Sequence, residues 1–302
     1  MSEQLSLFQD DAAEVWEIDE LRNIRVEKRT KHGDLWKLGN HRLLCGDSTS
    51  PDDVAKLMDG ESAKILFTSP PYSDMRDYNG GKDLSVPHLA KFIQAYRPYT
   101  DYQCVNLGIQ IKNKVIVPYW NDYIESAESA GYELRAWNIW DKFGAGTIGA
   151  QQRFFPTEHE FIFVFGLDIF ELNKTIPKLT VDNERTQTYR QKDGTLKRSP
   201  KGDTSGRFKK IGSVLRSLPV KDNSNKGYHP AAFPFDLPSN YIQAMTDKGD
   251  GVIEPFCGGG TTLLVCEGLK RKCFAMELDP QYCDVILSRW ERMTGEKVEK
   301  IN

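Results

Sequence analysis

The chain has little of what would fix it in a membrane or cross-link it covalently. No stretch of its 302 residues approaches the roughly 18 uncharged apolar residues of a membrane span. The acidic, polar N-terminus lacks the basic and apolar regions of a signal peptide, so a cytoplasmic location and no membrane partner are expected. The six cysteines, Cys45, Cys104, Cys257, Cys266, Cys273 and Cys283, show no paired CxxC spacing. They read as reduced, structural side chains, with no metal site expected. Internal repeats are absent. Net charge is only −3, which by itself argues neither for nor against nucleic acid.

What is present fits a packed globular protein: 39% hydrophobic residues and enough length for one large domain, or one domain with a sizeable insertion. Charge is unevenly spread. Between Glu171 and Pro230 there are 14 Lys and Arg against 6 Asp and Glu, while the rest of the chain is net acidic. A basic segment in an acidic body is expected where a protein touches phosphate, although a solvated surface gives the same pattern.

Four regions follow from the patterning. Residues 1–33 form an N-terminal extension without sustained apolar period. Over 34–166, alternation around Gly39-Asn40 predicts a β-hairpin. Pro51 to Met58 predicts a helix with Ser50 as N-cap, and Ala63 to Thr68 a buried strand that delivers Ser69 at its end. Helical spacing recurs from His88 to Val105 and from Asn121 to Gly131; Val115 to Pro118, Leu134 to Trp140 and Phe161 to Gly166 read as strands. Over 167–228 the pattern dissolves into Lys, Thr, Asp, Gly and Ser, which predicts an inserted, partly irregular recognition region. Regular alternation returns over 229–302, with a helix from Ser239, strands at Val252 to Phe256 and Cys273 to Glu277, and helices from Thr261 and Pro280. The fold class expected is a doubly wound, Rossmann-like α/β sheet.

In the last region a strand, a glycine-rich turn and a helix are followed about 20 residues later by an acid at the tip of the next strand, the nucleotide-binding unit of open α/β sheets. Gly258 and Gly260 let the backbone turn tightly, and Glu277 is placed to accept both hydroxyls of a ribose. This combination alone does not separate dinucleotides from S-adenosylmethionine. The run Glu254-Pro255-Phe256-Cys257-Gly258-Gly259-Gly260-Thr261-Thr262, however, resembles the cofactor motif of the β group of DNA amino methyltransferases. There Asp is usual where this chain has Glu254. The segment Phe274 to Tyr282 is similar to the family's ribose-binding segment. The resemblance implies S-adenosylmethionine as cofactor, held by Glu254, Phe256, Gly258, Gly260, Thr261, Thr262 and Glu277. It further implies Asp47 near the adenine amino group, and His229, Pro230 and the helix around Pro238 at the methionine end.

Upstream, Ser69-Pro70-Pro71-Tyr72 resembles the same family's catalytic loop. An exocyclic amine of a nucleobase is a poor nucleophile because its lone pair is delocalised into the ring. The resemblance implies that Ser69 Oγ and the Pro70 carbonyl accept the two amino hydrogens, while Tyr72 stacks on the base. Pro70 and Pro71 fix φ and stiffen the loop. A stacked duplex base cannot reach such a pocket, so the target is flipped out or single stranded. Catalytic loop first and cofactor loop second is the family's permuted order, and it counts against protein-glutamine and many RNA amino methyltransferases.

Serine in this loop is typical of N4-cytosine enzymes and aspartate of N6-adenine enzymes, so cytosine N4 is the expected target and adenine N6 the alternative. A DNA-binding regulator with a vestigial cofactor pocket is the reading from another class. Double-stranded DNA is the expected partner, with Arg198, Lys201, Arg207, Lys209, Lys210 and Arg216 of the insert as candidates for phosphate and base contact. Gln4-Leu5-Ser6-Leu7-Phe8 resembles the peptide by which bacterial proteins dock into the sliding clamp, with Gln4, Leu7 and Phe8 as contacts. A homodimer is common among relatives, and no residue here establishes one.

Overall fold

The computed structural model describes residues 26–71, 85–143, 157–177, 186–200, 208–218 and 233–301. Strands β1 (Leu35–Leu38) and β2 (His41–Cys45) form the expected hairpin, pairing Leu38 with His41 across Gly39-Asn40. Gly39 is required there: its φ is 55°, and a Cβ would stand 3.0 Å from the Trp290 ring. Helix α1 (Pro51–Met58) starts where its cap predicts, with Ser50 Oγ accepting from Asp53 N. Then come β3 (Ile65–Thr68), the short helices α2 (Val86–Leu89) and α3 (Phe92–Ala95), and β4 (Tyr102–Leu107).

The helical spacing from His88 to Val105 therefore does not give one helix. Pro98 stands in a tight turn at Arg97–Tyr99. Beyond it Gln103 to Leu107 are buried on successive positions, as a central strand requires and a surface helix does not. Val115 to Val117 is a strand, β6, but it pairs only with β5 (Gln110–Lys112), in a hairpin apart from the main sheet. Helix α4 (Trp120–Ser129) and strands β7 (Glu133–Asp141) and β8 (His159–Gly166) complete this half.

The 167–228 segment is less irregular than its composition suggests. Its described residues hold β9 (Lys174–Pro177), β10 (Thr186–Arg190), β11 (Leu196–Pro200), β12 (Phe208–Lys210) and β13 (Val214–Arg216). β10 pairs with β11 and β9 with β12, whereas β13 runs parallel to β7 at the rim of the main sheet. The chain closes with α5 (Asp236–Met245), β14 (Gly251–Glu254), α6 (Thr261–Gly268), β15 (Lys272–Glu277), α7 (Pro280–Thr294) and β16 (Glu299–Lys300).

Ten strands form one sheet in the order β13-β7-β8-β4-β3-β14-β15-β2-β1-β16. Its centre, β4-β3-β14-β15-β2, is parallel throughout. Side chains alternate across the sheet. Ile65, Phe67, Cys273 and Ala275 pack under α5, α6 and α7, where Tyr241, Leu264, Ile286 and Trp290 are buried. Leu66, Phe274 and Met276 face the opposite layer, formed by Leu57 of α1, Phe92 of α3 and Tyr123 of α4. All six cysteines are free and buried, as their apolar surroundings lead one to expect.

One buried polar cluster ties the hairpin to the cofactor half. His41 Nδ1 accepts from Cys273 N at 2.9 Å, which leaves its Nε2–H to donate to Glu267 at 2.9 Å, and Trp290 Nε1 donates to the same carboxylate at 2.7 Å. The bond from His41 holds the Glu267 carboxyl below its usual range.

Candidate active site

Four parallel strands end side by side, and each carries a predicted site residue at or just past its carboxyl end. Asp47 follows β2, the glycine turn follows β14, Glu277 ends β15 and Ser69 follows β3. Crevices at such ends are where open α/β sheets bind ligands.

The glycine turn is built from bonds that only small residues permit. Gly258 and Gly260 have φ of 52° and 87°, a region costly for side-chain-bearing residues. Gly260 N donates to Cys257 O at 2.8 Å, and a Cβ on Gly260 would lie 3.1 Å from Ile286 of α7. Arg289, also buried in α7, donates from Nη1 to Gly259 O. The turn is sewn to β15 as well, since Cys257 N donates to Met276 O at 2.9 Å.

Glu277 sits at the mouth of this turn. Its Oε2 accepts from Gly258 N at 2.7 Å and its Oε1 from Asp279 N at 2.9 Å. The residue is partly exposed, yet enough protein surrounds the carboxyl for burial to push it up to about 7 against those donors. Each carboxylate oxygen keeps a second lone pair, so the pair can accept two ribose hydroxyls. Asp47 holds its loop by accepting from Thr49 N at 3.0 Å and Thr49 Oγ1 at 2.7 Å. Phe256 packs edge-on against Phe92, with centroids 5.2 Å apart.

Glu254, Thr261 and Thr262 lie deeper. Glu254 is 1% exposed and accepts from Thr68 Oγ1 at 2.5 Å, Thr262 Oγ1 at 2.6 Å and Phe256 N at 3.1 Å. Burial pushes its carboxyl up to about 8 in spite of these three donors. Thr262 and Glu254 thus meet each other behind the turn.

Ser69 is half-buried, Pro70 buried and Pro71 half-buried. Asn106, next to the last residue of β4, donates from Nδ2 to Ser69 Oγ at 3.3 Å and to Glu160 Oε2 of β8 at 2.6 Å. Lys142 pairs with the other Glu160 oxygen and lies over the Trp140 ring at 4.8 Å. Thr68, Asn106, Lys142 and Glu160 carry no motif of their own. Thr68 was within reach as the neighbour of Ser69, but only the strand order places Asn106, Glu160 and Lys142 beside it.

The predicted residues Tyr72, His229, Pro230, Lys201, Arg207, Gln4, Leu7 and Phe8 lie outside the described residues. Among the insert cations, Arg216 Nε donates to Asp141 Oδ2 at 3.1 Å, and Lys210 stands 3.6 Å from Glu171. Arg198 lies on β11 opposite Thr188, in a hairpin whose Tyr189 and Leu196 are exposed, and Lys209 is exposed on β12.

A glycine turn, acids at two neighbouring strand ends and a Ser-Pro-Pro loop beside them are the arrangement that the sequence motifs of an amino methyltransferase lead one to expect. More narrowly, the chain belongs to the DNA methylase family, whose model matches residues 63–288. It is 25% identical to type II methyltransferase M.BamHI of Bacillus amyloliquefaciens, over 93% of this chain and 63% of that one. It is 26% identical to type II methyltransferase M.Cfr9I of Citrobacter freundii, over 88% and 92% of the two chains. The solved PvuII DNA methyltransferase, cytosine-N4-specific, shares the fold with a TM-score of 0.61 at 18% identity, over 88% of this chain and 94% of that one. The Thermus thermophilus protein TTHA0409, solved with S-adenosyl-L-methionine, gives 0.55 at 20% identity, over 84% and 94%.

Proposed function

We propose that this enzyme methylates cytosine at N4 within a specific site of double-stranded DNA, on a base turned out of the helix. The observation that carries the reading is Ser69 at the end of β3, one strand from the glycine turn, with its Oγ held by Asn106. S-adenosylmethionine supplies a methyl group made electrophilic by its sulfonium. Asn106 orients Ser69 Oγ, and that oxygen accepts an amino hydrogen of the base. The Pro70 carbonyl takes the other hydrogen, so the nitrogen lone pair is drawn out of the ring toward the methyl group. Tyr72 stacks on the base, and displacement is direct, without a covalent enzyme intermediate: the N–C bond forms as the C–S bond breaks, S-adenosylhomocysteine leaves, and the surplus amino proton is lost to solvent. Gly258, Gly260 and Thr261 shape the cradle around the methionyl chain. Glu277 holds the ribose, Asp47 and Phe256 border the adenine, and the resemblance assigns His229 and Pro230 to the methionine end.

The test is product analysis. Purified protein is incubated with cofactor and mixed-sequence duplex, the DNA is digested, and nucleosides are identified by mass spectrometry. N4-methylcytosine is expected; N6-methyladenine keeps the class and overturns the use of Ser69 to assign the base. Cofactor binding without any methylated nucleoside would instead favour the vestigial regulator.

Cofactor affinity should depend on pH through Glu277. The ionised carboxylate is the form that accepts two hydroxyls, and in the free protein it is reached only as pH rises past about 7. Binding below that value therefore releases a proton, and affinity rises with pH until it levels off above. Titration calorimetry from about pH 6 to about pH 8.5, on either side of that value, reads the slope. Glu277→Gln should remove it; a slope unchanged in that variant would assign it to another group.

The insert contacts DNA in this reading. Replacing Arg198, Lys209 and Lys210 together by alanine should weaken binding and flatten its salt dependence by about 2–3 in log–log slope. An unaltered slope removes these cations from the interface. Docking of Gln4, Leu7 and Phe8 into the sliding clamp, and a homodimer in solution, complete the proposal. Titration with purified clamp and sedimentation measure the two directly.

A further inference from the structure

Glu254 stands where the catalytic and cofactor halves meet. It ends β14 and is almost fully buried. Thr68, which bonds its Oε1, is the last residue of β3 and adjoins Ser69. Thr262, which bonds its Oε2, is the second residue of α6, directly after the glycine turn. The backbone ladder between β3 and β14 pairs only Ile65 with Val252 and Leu66 with Ile253. Beyond that point the Glu254 side chain adds a bond between the two strands. No cation among the described residues hydrogen-bonds to it, so its burial is costly and is offset only by these three neutral donors. A shorter aspartate, one methylene less, would not span both hydroxyls from the same backbone position.

We propose that Glu254 is a positioning residue for methyl transfer, clamping the strand that presents Ser69 to the helix behind the glycine turn. The base acceptors and the cofactor cradle then keep a fixed separation. This inference rests on the methyltransferase reading given above. It concerns the rate of the chemical step, since a methyl donor and an amine held slightly out of line lose much of the advantage of proximity.

The experiment is a double-mutant cycle with Thr68→Val and Glu254→Asp. Each single variant should slow single-turnover methyl transfer by about 10- to 100-fold, with cofactor Kd within about threefold, and the pair together should be no worse than the slower single. Glu254→Gln, which keeps the side-chain length and one carbonyl acceptor, should recover part of the rate. A parallel cycle on the thermal midpoint of the cofactor-free protein should be non-additive. The clamp is overturned if rate and cofactor affinity fall together, if Thr68→Val turns over at the wild-type rate, or if the midpoints are additive. Wild-type protein that transfers no methyl group to any DNA would defeat the enzymatic reading instead, while the midpoint cycle still decides the bond.

Discussion

Replacing Ser69 by alanine is expected to slow methyl transfer by about 100- to 1000-fold and to leave S-adenosylmethionine affinity within about twofold. The reason lies in what an amino group needs before it attacks. Its two hydrogens must be drawn out of the base plane, and this loop offers one side-chain oxygen and one backbone carbonyl for the task. Alanine removes the first and leaves the second, so the nitrogen stays closer to planar when it meets the methyl donor. The same change takes an acceptor from one Asn106 hydrogen, while the other still reaches Glu160. Loss of that bond costs about 1–3 kcal/mol of stability, too little to unfold a domain of this size and readable as a small drop in Tm. Single-turnover kinetics at saturating DNA and cofactor give the answer. A variant that turns over within about threefold of wild type would remove Ser69 from the chemistry altogether.

The second large effect belongs to the glycine turn. Gly258→Val is expected to weaken cofactor binding by more than about 100-fold, roughly 2.7 kcal/mol. Valine at a φ of 52° is disfavoured by clash with its own backbone, about 1–3 kcal/mol before any ligand is considered. Relief of that strain would turn the peptide and pull the Gly258 N–H away from Glu277, dismantling the proposed ribose site from its far side. Gly260→Val should act differently, because its Cβ would press on Ile286 of α7 and lower thermal stability along with affinity. Equilibrium dialysis with labelled cofactor, paired with thermal unfolding, separates the two. Wild-type affinity in Gly258→Val would place the cofactor elsewhere.

Much of the fold was legible because its signals are local. Buried parallel strands announce themselves as dense apolar runs, and Ser50 marks the start of α1 through its side-chain cap. Strand β4 was hidden because Tyr102 to Leu107 continues an apolar spacing that also suits a helix, and burial on both faces erases the alternation that separates the two. The strands of the insert were hidden for the opposite reason. They are short, polar and exposed, and β13 is held by pairing with β7 rather than by an apolar face of its own. In the site, residues inside contiguous motifs could be named from sequence. Asn106 and Glu160 could not, since they reach Ser69 from strands chosen by sheet order. The bonds of Glu254 and Thr262 were likewise beyond reach, because a motif gives a residue its place without giving its side chain a direction.

The order of the strands also bears on how this chain is made. β2 and β3 follow one another in sequence but stand apart in the sheet, and the gap between them is filled by β14 and β15. Thr68 and Glu254, which bond across that seam, are 186 residues apart. A nascent chain that ends before Gly251 therefore has two unsatisfied strand edges facing an empty centre, the kind of surface that invites pairing with other chains. The sheet closes only once the segment carrying β14 and β15 has left the ribosome. Loop closure over such separations makes folding slow, so the permuted order of the motifs ties completion of the central sheet to assembly of the cofactor cradle.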